Sequence, residues 1–102
     1  MIRHIVLINF RPEIPEATIS AIFSDVQALK AKIPGVLVVT AGRSESPEQI
    51  ERGFKHGFVI DFTDWSALES YQNHPEHQPI SASLIAHATG GLEGILVFDL
   101  PC

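Results

Sequence analysis

The order in which two hydrophobic patterns follow one another constrains this chain more than any other feature of its sequence. Four short segments rich in β-branched and aromatic residues predict strands, and two longer segments with apolar residues three and four apart predict helices. The order is strand, helix, strand, strand, helix, strand. Because crossover connections are right-handed, this order predicts an α+β, ferredoxin-like βαββαβ fold, with a four-stranded antiparallel sheet and both helices on one face.

The predicted strands are short, and turn-forming residues separate them. They cover residues 2–10, 36–41, 54–62 and 94–100, and the first and third are expected in the middle of the sheet. The polar connection 42–53 contains serine, proline and glycine, and we expect at most one helical turn in it, at residues 48–50.

The two helical segments differ in continuity. The first is predicted to cover residues 15–33, because the pair Pro34-Gly35 stops a helix. The second is expected to follow a cap at Thr63 or Asp64 and to break near Pro75. A broken helix leaves a stiff corner in the middle of the segment.

Composition bounds the class of protein. The 102 residues are enough for one domain, residues 1–102, and 12 acidic against 7 basic residues give a net charge of -5, which argues against nucleic acid as a partner. No apolar run approaches the roughly 20 residues of a membrane helix. The single cysteine, Cys102, excludes an internal disulfide. With no signal-peptide pattern, we expect the cytoplasm.

The sheet face turned away from the helices is expected to be unusually apolar. It would carry Ile5, Leu7 and Val59, together with Val39 or its neighbours in the second strand. Large exposed apolar patches are rare on soluble monomers, and a short chain gains stability from association. We therefore predict a homodimer in which two sheets face each other.

Titratable residues cluster at the break in the second helix. Tyr71 is expected to end the first part of the helix, and His77 to lie on the turn after Pro75. Strand alternation places His4 and His56 on the helix-facing side of the two central strands. A pocket between sheet and helix would then have four polar residues (His4, His56, Tyr71 and His77) and four apolar ones (Phe23, Val26, Phe58 and Leu68).

These residue types fit acid–base chemistry on a small molecule. In this hypothesis, His77 is the general base, Tyr71 polarises a substrate oxygen, and His4 and His56 orient the ligand. The alternative is that each histidine is a structural residue bonded to backbone carbonyls. A metal site is a further alternative, because His74, Glu76 and His77 offer imidazole and carboxylate groups within four residues. The pattern His-Pro-x-His is not a recognised zinc spacing, however, and no further ligand can be placed, so no metal ligand is predicted.

Several of these segments resemble the stress-responsive A/B barrel family, also called Dabb. The matching segments are Arg3-His4-Ile5-Val6-Leu7, Ile33-Pro34-Gly35-Val36, Phe54-Lys55-His56-Gly57-Phe58, Tyr71-Gln72-Asn73-His74-Pro75-Glu76-His77 and Leu96-Val97-Phe98-Asp99. The resemblance implies a ferredoxin-like fold that dimerises into an α+β barrel. This agrees with the prediction from the strand faces.

The resemblance also suggests activities. One plant branch of the family comprises polyketide cyclases, which close a linear tetraketide thioester by aldol condensation without a cofactor. Its catalytic histidine and tyrosine match His77 and Tyr71. Its other pocket residues match His4, His56 and Phe23, whereas Val26 stands where that branch has a tyrosine.

The resemblance leaves three activities open. They are a cofactor-free cyclase or lyase acting on an apolar or polyketide-like ligand, a non-catalytic stress-related or structural dimer, and a cofactorless monooxygenase, which uses a similar barrel. The segment 83–91 lacks the aromatic residues of the plant cyclases, so the resemblance does not assign a substrate.

Overall fold

The computed structural model describes all of residues 1–102. Its elements in chain order are β1 (Ile2–Ile8), α1 (Glu16–Ala28), β2 (Val36–Arg43), β3 (His56–Phe62), α2 (Trp65–Gln72), α3 (Gln78–His87) and β4 (Ile95–Pro101). Two short 3-10 helices, Leu29–Ala31 and Gly91–Gly94, follow α1 and precede β4.

The four strands form one antiparallel sheet in the order β2-β3-β1-β4. The prediction of a ferredoxin-like fold with the first and third strands in the middle is therefore confirmed. Alternate residues of β3 are buried on the helix-facing side, and they are His56, Phe58, Ile60 and Phe62. This side of the sheet forms the core together with the helices.

The first helix packs one apolar stripe on the sheet. Its buried residues are Ile19, Ile22, Phe23 and Val26, at three- and four-residue steps. The α-helix ends at Ala28, and a 3-10 turn with buried Leu29 continues toward Pro34. The prediction of one helix over residues 15–33 was therefore wrong in its last turns, where the chain tightens before the glycine turn.

The second helical segment is divided into α2 and α3, as the proline pattern predicts. Asp64 caps α2, because its Oδ1 accepts a hydrogen bond of 2.9 Å from the backbone N–H of Ala67. Residues 73–77 separate the two helices, and His77 is the residue directly before α3. The side chain of His77 is thus held between two helix ends.

The structure decides two points that the prediction left open for the second strand and its loop. Val39 pairs with Ile60, which places it on the helix-facing side. The exposed side instead carries Val38 and Thr40, because the register shifts between Val36 and Val38. The connection after β2 contains no helical turn at residues 48–50. None of the helices combines the length and the apolar character of a membrane-spanning segment.

Candidate functional site

A cavity of about 170 Å³ lies between the sheet and the α2–α3 pair. Side chains from the sheet, both helices and the second 3-10 helix line it. They are His4, Val6, Phe58, Tyr71, Gln72, His77, Ser81, Leu84, Ile85, Leu92, Ile95 and Val97. Three of the four polar residues predicted for the pocket, His4, Tyr71 and His77, therefore meet at one cavity.

The backbone fixes the orientation and tautomer of His77. Its Nδ1 lies 3.2 Å from the carbonyl oxygen of Gln72. Because a carbonyl oxygen only accepts, Nδ1 carries the proton in this bond. The other ring nitrogen, Nε2, then has a free lone pair when the ring is neutral. The His77 and Tyr71 ring centroids are 4.3 Å apart.

The surroundings of His77 favour the neutral ring. Burial lowers its pKa from the usual value, the hydrogen bond to Gln72 works in the opposite direction, and the nearby His4 lowers the pKa further. A neutral imidazole with a fixed tautomer can accept a proton near neutral pH.

Tyr71 is almost entirely buried, and burial raises the pKa of its phenol. The hydroxyl therefore remains protonated over the whole physiological range and can donate a hydrogen bond. Burial is the one cause of the raised pKa, so no charged group contributes to the shift. Tyr71 can thus stabilise negative charge on a ligand oxygen without losing its own proton.

A carboxylate holds His4 in place. His4 Nδ1 lies 2.5 Å from Asp99 Oδ1, and the ring meets that of Tyr71 edge-on with centroids 5.6 Å apart. The carboxylate accepts the Nδ1 proton, so Nε2 is the remaining nitrogen of His4. Asp99 was missing from the sequence prediction, although it lies directly opposite His4 in the pairing of β1 with β4.

His56 does not reach this cavity. Its Nε2 donates to the carboxylate of Glu16, at 3.0 and 3.1 Å, and its ring packs edge-on against Phe10. Phe23 packs against both His56 and Phe58, and Phe58 lines the cavity. His56 thus lies behind a pair of aromatic rings rather than beside His77.

The apolar wall also differs in part from the predicted set. Phe58 lines the cavity, whereas Phe23, Val26 and Leu68 are buried in the core without lining it. The prediction missed apolar residues from α3 and β4, which supply much of the wall. The alternation of β4 could have indicated Ile95 and Val97, since they share one face with Asp99.

The mouth of the cavity is open and apolar. Leu92, Val97 and Ile85 line it and are 69%, 56% and 38% exposed. Exposed apolar side chains next to a small cavity offer a surface to the remainder of a ligand whose one end is inside.

The structure contains no group of three or more histidine, cysteine or acidic residues that could hold a metal ion. His74 Nδ1 accepts a hydrogen bond from the backbone N–H of Glu76, and His77 Nδ1 is turned to Gln72. The suggested ligand set of His74, Glu76 and His77 is thus not arranged around a common centre.

Fold and site together define a class: a ferredoxin-like α+β protein with a small, histidine-lined cavity under a broken helix. A family model described as the Stress responsive A/B Barrel Domain, Dabb, matches residues 2–102. The chain belongs to this family.

Individual proteins of known sequence or structure are also similar to the chain. Olivetolic acid cyclase from Cannabis sativa is 26% identical over 76 residues, which are 74% of this chain and 75% of the relative. A dimeric ferredoxin-like protein of unknown function from a Jannaschia species is 31% identical, with a TM-score of 0.91 over 99% of this chain and 98% of that chain.

A hydroxynitrile lyase from Passiflora edulis has the same fold. It is 20% identical, with a TM-score of 0.84 over 97% of this chain and 90% of that chain. At this identity the similarity shows a shared fold.

Proposed function

We propose that the protein is a cofactor-free cyclase or lyase that makes or breaks a carbon–carbon bond next to a carbonyl group in a small, partly apolar substrate. The observation that carries the proposal is the convergence of His77, Tyr71 and His4 on one cavity with apolar walls. The similarity to a cyclase over three quarters of the chain supports the same reaction class.

The proposed chemistry needs only proton transfers that these side chains can supply. His77 Nε2 removes a proton from the carbon next to a substrate carbonyl, and the Tyr71 hydroxyl donates a hydrogen bond to the oxygen of the resulting enolate. The enolate carbon then attacks a second carbonyl of the same molecule. A carbon–carbon bond forms, and the new alkoxide takes the proton back from the His77 imidazolium.

His4 has a positioning role in this proposal. The Asp99 carboxylate holds its Nδ1 proton, so the ring is fixed beside Tyr71. A fixed ring at this point keeps the phenol of Tyr71 in place and supports the orientation of a bound oxygen.

The dimensions of the cavity indicate the kind of substrate. A volume of about 170 Å³ is below the roughly 300–1,000 Å³ of sites for drug-sized ligands. We infer that the reacting end of the substrate enters the cavity and that an apolar remainder lies over Leu92, Val97 and Ile85. A short linear polyketide thioester has both parts.

We further propose that the protein acts as a homodimer. The sheet face opposite the helices exposes large apolar side chains, among them Leu96, Phe98 and Leu100. The 31% identical protein from Jannaschia is described as dimeric, which supports the same association here.

The test is aldol closure of a linear tetraketide thioester, followed by liquid chromatography with mass spectrometry, which separates the cyclic product from its linear isomer. We expect His77→Ala to lower kcat/KM by about 100-fold or more, because general-base catalysis is lost, and Tyr71→Phe to lower it to a similar extent. His87→Gln is the matched control, since His87 bonds to the Ser83 carbonyl and does not line the cavity.

Equal rates for the wild type and His77→Ala would remove His77 from the mechanism. Calorimetric binding of the thioester without any turnover would instead identify a non-catalytic ligand-binding protein.

A further inference from the structure

The corner between α2 and α3, residues 73–77, satisfies its own backbone. Pro75 has no N–H, and the other four backbone N–H groups of the corner all have acceptors. Three of them donate to backbone carbonyls three or four residues earlier, at 3.0 to 3.2 Å. The fourth, that of Glu76, donates instead to an imidazole, because its acceptor is the Nδ1 atom of His74 at 3.1 Å.

The His74 ring has the part that an asparagine or aspartate side chain has in many turns. Those side chains accept a hydrogen bond from the backbone N–H two residues later. Histidine Nδ1 is separated from Cα by the same number of bonds as asparagine Oδ1, so it reaches the same N–H. Pro75 disfavours the helical conformation at His74 and offers no N–H of its own. A side-chain acceptor therefore closes the turn.

This bond fixes the tautomer of His74, which is opposite to that of His77. Because a backbone N–H only donates, Nδ1 of His74 carries a lone pair, and the proton of the neutral ring lies on Nε2. His77 carries its proton on Nδ1, which donates to the Gln72 carbonyl at 3.2 Å. One ring of the corner thus accepts from the backbone, and the other donates to it.

His74 is bonded to both residues that follow Pro75. Its ring accepts from Glu76, and its carbonyl oxygen accepts from the backbone N–H of His77 at 3.0 Å. These two bonds determine the path of the chain after the proline, and hence the point from which the His77 side chain extends. The His77 ring then packs against Tyr71, with centroids 4.3 Å apart, and lines the cavity.

Polar contacts from the rest of the protein add little to the corner. One ion pair joins it to an element other than α2 and α3, with Lys32 Nζ and Glu76 Oε2 3.5 Å apart. Both side chains are about half exposed, and ion pairs of this kind contribute little free energy. The place of His77 thus depends on bonds within the corner. Among these, the His74 ring is the one side chain that accepts from the backbone.

We propose that His74 is a positioning residue, whose neutral ring closes the turn at Glu76 and thereby sets the His77 ring in the cavity. The effect on catalysis rests on the proposed function, whereas the effect on the His77 ring does not. Loss of the acceptor at His74 frees the Glu76 N–H and lets His77 occupy a wider range of positions. The fraction of molecules with His77 Nε2 placed for proton transfer then falls.

Two substitutions of His74 separate the acceptor from the ring. His74→Asn keeps an acceptor at the same distance from the backbone, and His74→Leu keeps a branched side chain without an acceptor. In the closure of the tetraketide thioester, we expect His74→Leu to lower kcat about fivefold, because one hydrogen bond of ordinary strength is lost, and to change KM by less than about twofold. His74→Asn should keep kcat within about twofold of the wild type, because its Oδ1 replaces Nδ1.

A second measurement tests the inference without any turnover. Long-range proton–nitrogen correlation NMR at pH 8 reports which ring nitrogen carries the proton in each histidine. In the wild type we expect the Nε2–H form at His74 and the Nδ1–H form at His77. His74→Asn should leave the His77 signals unchanged, whereas His74→Leu should move them toward the average of the two tautomers.

The outcomes separate this inference from the proposed function. An Nδ1–H ring at His74 in the wild type, or equal effects of the two substitutions on the His77 signals, overturns the inference. Equal kcat for the two substitutions in an active protein also overturns it. The expected tautomers, with a change at His77 confined to His74→Leu, support it even in a protein without turnover, and the failure then concerns the proposed function alone. Circular dichroism of both variants controls for the fold.

Discussion

His77 combines two properties that a general base requires, a defined tautomer and a neutral ring. The first follows from the Gln72 carbonyl, which can only accept the Nδ1 proton. The second follows chiefly from burial, which lowers the pKa of the imidazole. Both depend on the corner between α2 and α3, since this corner brings the ring back over the end of α2.

The lowered pKa of His77 predicts a change of stability with pH. The pKa of His77 is lower in the folded protein than in the unfolded chain, where it is about 6.5. At a pH between these two values, the unfolded state binds more protons than the folded state. Stability should therefore fall as the pH drops below about 6.5, and this loss should level off below the folded pKa. In His77→Gln this part of the pH dependence should be absent.

Urea unfolding of both proteins at pH 8, 6.5 and 5 measures the difference. His87→Gln is the control for loss of a histidine outside the cavity. If the wild type and His77→Gln lose the same free energy of unfolding between pH 8 and pH 5, the ring is not held in its neutral form by the fold.

At the scale of elements, the cap of α2 decides where Tyr71 is held. Asp64 satisfies the backbone N–H of Ala67, and the helix that starts there carries Tyr71 two turns later. Gly35, with φ +90°, packs against the same first turn, because a Cβ on it would meet the Cβ of Ala67 at 2.5 Å. The start of β2 and the start of α2 are thus fitted to each other.

Removing the cap should destabilise the protein moderately. We expect Asp64→Ala to lower the free energy of unfolding by about 1 kcal/mol, because one helix N–H loses its partner. Asp64→Asn is the matched control, since asparagine caps about as well as aspartate. Chemical denaturation measures both, and an equal loss in the two variants would show that the cap is not the cause.

The elements were largely predictable from the sequence, and the site was predictable in part. Hydrophobic periodicity and the prolines indicate all four strands and the break that brings His77 to Tyr71. The position of His56 was not predictable from alternation alone. Register pairs His56 with Ile8 and His4 with Ile60, so the two histidines share a face but lie about 13 Å apart along the strands.

Asp99 and the cavity mouth were missed for a related reason. The contact between His4 and Asp99 joins residues 95 positions apart, and only the pairing of β1 with β4 brings them together. The 3-10 turn after α1 was predicted as α-helix, because apolar periodicity indicates that Leu29 is buried but does not distinguish the two kinds of helix.

At the scale of the whole molecule, β4 serves two surfaces with alternate residues. Val97 and Asp99 face the helices and belong to the cavity and to His4, whereas Leu96 and Phe98 face outward. The proposed ligand site and the proposed dimer face can therefore share one edge strand without sharing a side chain.

The most direct test of this account is a map of where a substrate-like molecule binds. A linear tetraketide thioether, which cannot be hydrolysed, is titrated into isotope-labelled protein and followed by NMR. We predict that the signals of Tyr71, His77 and Val97 shift in saturable fashion, while those of Gly42 and Phe98 stay unchanged. Shifts confined to the sheet face turned away from the helices, or no saturable shift at His77, would contradict the account.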